Sequence, residues 1–281
     1  MEVISLGWCP DVSDARDYVI SQETRSPLPM QLDLREPELA LEYDPSISNH
    51  ASVCISLLGL IKWQSRKWTG DRVHGSPEFL HQLILRLACR EGRSGIGIRT
   101  AIKTLKQFGA PPRHLCARDR GLSILDQPEL YRFARPFEGL QYFRLDHWTC
   151  HWQDHLATMK AWLVRGNPFV IGFAVPINLP QQSDLIPFDL RRGATLGGTA
   201  CVVMGYDDHY ESFVTPAELA STGAKDEREL LLNRGTRGAL LAKTCLRFAG
   251  SKDGYVWLPY EFVQSRFARD AWAISDPEWS C

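Results

Sequence analysis

Apolar residues fall on every side of the stretch 53–63, the pattern of a helix buried all round rather than along one stripe. Asn49 or Ser52 stands where a side-chain oxygen would cap such a helix. Two further helices are predicted behind it: 77–90, with proline at its start, and 98–108, which stops at Gly109. A short helix over 128–135 follows, then 140–145 alternates as a strand, and 152–164 is amphipathic and closes at Arg165-Gly166. Beyond that point the pattern changes. Residues 168–175 and 200–206 are short apolar runs rich in β-branched side chains, as in buried strands, and 239–242 and 255–258 add two more. Helices thus lead and strands follow, an α+β order. Residues 1–48 hold many turn formers and few periodic segments. The stretch 209–237 is a connection longer than two paired strands need, and loops of that size usually carry function or are disordered.

Composition narrows the picture. Of 281 residues, 44% are hydrophobic and 23% charged, ordinary globular usage, and a chain this long buries about three-quarters of its extended surface. A net charge of −1 without a long basic run argues against nucleic acid as the main partner. The opening residues carry acids and no apolar core of signal-peptide length, and no run approaches a membrane span, so a soluble, cytoplasmic protein with no membrane partner is expected. Cys9, Cys54, Cys89, Cys116, Cys150, Cys201, Cys245 and Cys281 stand at long spacings without a CxxC pair, which fits reduced thiols in a core. His147, Cys150, His151 and His155 gather within nine residues, but no further ligand stands at a suitable spacing. No metal and no cofactor is expected.

Several short motifs occur in one order along the chain. They are Gly7-Trp8-Cys9-Pro10-Asp11 with Asp14-Ala15-Arg16-Asp17-Tyr18, then Leu32-Asp33-Leu34-Arg35, Ser52 to Ile61, and Ser76-Pro77-Glu78-Phe79-Leu80. Gly95-Ile96-Gly97-Ile98-Arg99-Thr100, Gly197-Gly198-Thr199-Ala200, Gly205-Tyr206-Asp207-Asp208 and Gly254-Tyr255-Val256-Trp257 follow. Together they resemble the papain-like cysteine peptidases, in the short microbial and animal branch without a long pro-region. The resemblance implies a papain-like α+β fold: an arm over 1–48 crossing both halves, a helical half over 49–138, and a β-barrel-like half over 139–281. The cleft lies between the halves, and the 209–237 insertion is expected near its mouth.

The departures from that family carry the functional reading. Counting back from Gly59-Leu60-Ile61, the family's nucleophilic cysteine falls on Ser52, with His50 and Ala51 in place of its Gly-Ser. Thr199 stands where the general-base histidine belongs, Thr244 where the orienting asparagine belongs, and Ser46 where the oxyanion-hole glutamine belongs. A serine hydroxyl needs a strong base more than a thiol does, and threonine is none. With nucleophile, base, orienter and oxyanion donor all replaced, ordinary peptide hydrolysis is not expected. Gly95 and Ile96 align with the Gly-rich segment that pairs with a bound peptide, Ile96 putting an apolar wall on the peptide's path, and Arg247 borders the site on the third catalytic loop. His50 is the one ionisable newcomer, either a general acid or base in the cleft or a loop histidine bonded to backbone. Cys54, Cys201 and Cys245 lie beside vacated positions and are expected to be core thiols.

Two functions compete on these grounds. In the first, the fold is diverted to a non-hydrolytic cyclisation of a small-molecule or acyl-carrier-bound polyketide or peptide intermediate in natural-product biosynthesis. Some bacterial relatives of the short branch resemble such ring-closing enzymes, and holding a reacting conformer contributes up to ~7–11 kcal/mol without any nucleophile. In the second, the chain is a non-catalytic pseudopeptidase whose cleft binds a peptide or protein partner. The new His50 and the enlarged 209–237 connection favour the first.

Overall fold

The computed structural model describes residues 6–20, 27–35, 49–70, 73–89, 95–116, 123–147, 151–177, 179, 183–188, 195–211, 237–246 and 253–275. Helix α1 (Ser52–Thr69) is the helix predicted to be buried all round, and it runs a turn and a half past Trp63 because Gln64 and Ser65 also stay buried. Its end is set by Gly70, whose φ of 76° closes the left-handed cap, its N–H donating to the Arg66 carbonyl at 3.0 Å. At the other end neither Asn49 nor Ser52 is the cap. Ala51 holds that place without a side-chain bond, and the Ser52 hydroxyl is used elsewhere.

Helix α2 (Pro77–Leu87) begins as its sequence predicts, with Pro77 in the first turn and Ser76 Oγ accepting the Phe79 N–H at 3.2 Å. Helix α3 (Ile98–Phe108) has Gly97 at its cap position and no side chain of its own there. Asp11 supplies the missing acceptor, its Oδ2 taking the Arg99 N–H at 3.1 Å. The expected helix over 128–135 is mostly a 3-10 run, Pro128–Ala134, leading into a single turn, α4 (Arg135–Glu138). Helix α5 (Trp152–Val164) follows.

The strands are β1 (Gln31–Asp33), β2 (Gln141–Arg144), β3 (Phe169–Pro176), β4 (Thr195–Glu211), β5 (Arg237–Thr244), β6 (Tyr255–Pro259) and β7 (Ala268–Ser275). They pair antiparallel in the order β2-β7-β3-β4-β5-β6, with β1 added to β4. Strand β4 stays long by bending at two register shifts against β5. The sheet is open between β2 and β6, so the described strands do not close the barrel-like half that was expected. Alternation along the strands then builds two cores. Val170, Val202 and Trp272 face α1 and α3 through Leu57, Ile61 and Ile102, whereas Phe169, Ile171 and Val203 face Met159 and Leu163 of α5. Gln64 Nε2 donates to the Ile274 carbonyl at 2.8 Å and Ser56 Oγ to the Ala200 carbonyl at 3.1 Å, fixing α1 on the sheet at both ends.

The 209–237 connection leaves β4 at Glu211 and rejoins at Arg237, a paired position. Thr244 pairs with Cys201, and Arg237 stands seven residues from Thr244, so the root of the connection on β5 is about 24 Å along the strand from Thr244. Residues 212–236, the body of the insertion expected near the cleft, lie outside the described residues. No helix among the described residues is long and apolar enough to cross a membrane.

Candidate functional site at the head of helix α1

Ser52 sits in the first turn of α1 and is fully buried. Its Oγ donates to the Leu6 carbonyl at 2.7 Å and accepts the Ala200 N–H at 3.3 Å. The hydroxyl therefore ties three segments together: the N-terminal arm, the helix head and β4. Its proton rests on an amide carbonyl, which holds a hydrogen bond but is far too weak a base to take the proton. Thr199, one position before Ala200, is buried in β4 opposite Phe173, and Thr244 ends β5 with its Oγ1 accepting the Leu246 N–H at 3.1 Å. Ser52→Ala should cost about 1–3 kcal/mol, because the Leu6 carbonyl and Ala200 amide stay buried without the partner they had; denaturant unfolding measures it.

The neighbouring thiols are core groups. Cys54 and Cys201 are fully buried, and Cys245 packs on Ala51 and Ile55. Burial pushes all three thiols up, Cys245 to about 12, which keeps them protonated and poor as nucleophiles.

His50 lies half-buried in the 3-10 turn Asn49–Ala51, and near it stands His81 of α2, a residue not among the predicted site residues. Burial, and then the nearby His50, lower the His81 pKa to about 4, so it is a neutral imidazole at physiological pH. The only sequence signal was a histidine next to Leu80 on the apolar face of an amphipathic helix, a common core pattern. Among the described residues no group of three His, Cys, Asp or Glu is placed to hold a metal; His155 Nε2 is used by the His147 N–H at 3.2 Å.

Ile96 pairs through its backbone with the chain's own N-terminal arm. Ile96 N–H donates to the Gly7 carbonyl at 3.0 Å, Cys9 N–H to the Ile96 carbonyl at 3.1 Å, and Trp8 N–H to the Gly198 carbonyl at 2.9 Å. Cys9 Sγ adds a bond to the Gly95 carbonyl at 3.2 Å. The Trp8 indole lies flat on Gly172 and Gly198, where a Cβ on either glycine would overlap the ring. Ile96 does not form the expected wall on the peptide's path, since its side chain points into the core shared with α1 and α3. Ser46 and Arg247 lie outside the described residues, so neither can be placed against this groove.

The arm is anchored just past Trp8 by a cluster of acids and arginines. Asp11 N–H donates to Asp270 Oδ2 at 2.8 Å, and Asp11 Oδ2 accepts Trp272 Nε1–H at 2.9 Å. Arg99 holds Asp17 at 2.8 Å, and Arg144 reaches Asp270 at 2.7 Å, Asp146 at 3.2 Å and Asp17 at 3.3 Å.

A central helix seated on an open antiparallel sheet, with an extended segment lying across both at the helix head, is the papain-like fold. Comparison with solved structures gives the same answer. The chain is similar to xylellain, a cysteine protease from Xylella fastidiosa, at 22% identity and a TM-score of 0.69, covering 96% of this chain and 95% of that one. It is also similar to proCathepsin B S9 from Trypanosoma congolense (14% identity, TM-score 0.55, 98% and 86% covered) and to digestive procathepsin L 3 of the Tenebrio molitor larval midgut (13%, 0.56, 97% and 77%). No family model and no curated protein matches the sequence. These likenesses establish the fold alone.

Proposed function

We propose that this papain-fold chain does not cut peptides and acts as a pseudopeptidase that binds an extended peptide segment in the old groove. One observation carries the reading: the hydroxyl at the nucleophile position is fully buried and spends its proton on the Leu6 carbonyl. Supporting it, the backbone edges of Ile96 and Gly198 already hold a strand by three main-chain bonds, so they are competent to hold one. The test is to incubate the pure protein with fluorogenic peptides from acid to neutral pH, and with covalent serine- and thiol-directed inhibitors followed by mass spectrometry. No turnover and no label on Ser52 are expected. Hydrolysis that disappears in Ser52→Ala would reverse the reading.

A second reading, ring closure on a small-molecule or carrier-bound intermediate, is favoured by one observation, the His50 and His81 imidazoles beside the head of α1. It asks Ser52 to polarise a substrate carbonyl, which competes with the bond that hydroxyl makes to Leu6. Linear carrier-bound substrates incubated with the protein should come back unchanged; an isomeric product that depends on His50 would establish this second reading instead.

A further inference from the structure

We infer that Lys243 is a nucleophilic amine that takes up a small aldehyde as an imine, at a site that the function proposed above does not use. The register sets Lys243 of β5 opposite Val202 of β4 and Tyr255 of β6, so all three share the sheet face on which Val202 meets α1. Helix α1 packs on β3 and β4, and Lys243 lies one strand farther out. Thr244, the next residue, pairs with Cys201 and turns to the other face, so it and the amine are on opposite sides of the sheet.

The surroundings of the side chain set it apart. Lys243 is only 8% exposed, yet among the described residues its nitrogen has no hydrogen-bond acceptor and no ion pair. Beneath it lies the Tyr255 ring, 4.3 Å away at the centre. The other half-buried or tethered lysines are satisfied: Lys67 and Lys106 donate to the Gly166 and Leu140 carbonyls, and Lys160 binds Asp208. An ammonium held in a dry place without an acceptor is costly, and a neutral amine there is not. Burial accordingly lowers the Lys243 pKa from the usual lysine value, against the opposing pull of Asp253. A second cation, Arg35, lies 5.5 Å from the centre of the same ring, but it is already bound to Asp33 at 2.6 Å. The two cations therefore do not combine into an anion site, and the lone pair of the amine is the chemistry on offer.

A desolvated lysine is the form in which that side chain attacks a carbonyl carbon. The nitrogen lone pair bonds to the aldehyde carbon while the C=O π pair moves to oxygen; nitrogen gives up one proton and oxygen takes one, leaving a carbinolamine. The hydroxyl then departs with a further proton as water, nitrogen loses its last proton, and the C=N bond remains. Amine and aldehyde thus become imine and water, with nothing oxidised or reduced. Burial raises the Tyr255 pKa, so the phenol whose ring lies under the nitrogen is protonated at neutral pH and is a donor for the departing water. Asp253, whose charge Lys243 feels, is a carboxylate able to receive the proton that nitrogen loses. With so little of the residue exposed, the site takes a small aldehyde rather than a bulky one.

Reductive trapping tests this on the folded chain. The protein is treated with acetaldehyde and cyanoborohydride, which fixes each imine as an N-ethyl lysine, and the labelled positions are mapped by mass spectrometry at low overall labelling. Lys103 of α3, which is exposed, serves as the internal reference. Near pH 7.5 Lys243 should label several-fold faster than Lys103, and the ratio should fall as pH rises toward the ordinary lysine pKa of about 10.4, where Lys103 becomes neutral too. Taking the ratio cancels the pH dependence of the reagents. In denaturant the two lysines should label alike. Labelling of Lys243 no faster than Lys103 overturns the inference, and so does a ratio that does not change with pH, which would make Lys243 merely accessible. A preference that persists in denaturant also overturns it, since it would belong to the local sequence and not to the fold.

Discussion

Arg144→Ala should cost about 3–5 kcal/mol and lower the melting temperature by on the order of 10 °C. The guanidinium bonds Asp270, Asp146 and Asp17 and lies 5.4 Å from the centre of the Trp272 ring, and its own side chain is only 13% exposed. Removing it leaves Asp270 and Asp146 without a cationic partner and Asp17 with Arg99 alone, and uncompensated buried charge is what makes breaking such a cluster expensive. Lysine at this position should recover only part of the loss, because a single ammonium cannot span partners from the arm, β2 and β7. Thermal melts of Arg144→Ala, Asp270→Asn and the double variant check the cause. The double variant should lose clearly less than the sum of the singles, since one of the stranded charges is already gone; simple additivity would mean that the arginine acts through its contact with Trp272 alone.

Trp8→Ala comes next, at about 3–5 kcal/mol, the usual range for emptying a buried aromatic site. The indole covers Gly172 of β3 and Gly198 of β4, two glycines whose lack of a side chain makes room for it. Conversely, Gly172→Ala places a Cβ inside the ring and should cost about 1–3 kcal/mol by overpacking. The pair is diagnostic. In the background of Trp8→Ala the alanine at 172 should be nearly neutral, because the clash has gone with the ring. Trp8→Phe should lose much less than Trp8→Ala, since the indole N–H that it deletes has no partner among the described residues.

Much of the fold was legible because its elements carry local signals. The all-round apolar helix, the Ser76-Pro77 start and the Gly109 stop each state their case within a few residues, and α1, α2 and α3 follow them. Strand β7 was not legible for a physical reason: the exposed Arg269 and the buried Asp270 break its apolar pattern, and Asp270 is there to serve the cluster rather than the sheet. Ser52 illustrates the same limit at the site. Its position in the order of motifs is visible in the sequence, but that its hydroxyl closes on Leu6 and Ala200 depends on segments 46 and 148 residues away. The Asp11 bond to the start of α3 is equally non-local, spanning 88 residues. Cys54, Cys201 and Cys245 proved to be core thiols, as small buried apolar neighbourhoods suggest, whereas the nearness of His81 to His50 needed α2 to be folded against the head of α1.

The sheet order has a consequence for the nascent chain. Strand β7 lies between β2 and β3, so two segments made early wait, with hydrogen-bonding edges open and apolar faces uncovered, until residues 268–275 leave the ribosome. A product that stops before that strand should therefore be degraded or aggregate rather than persist as a smaller version of the protein.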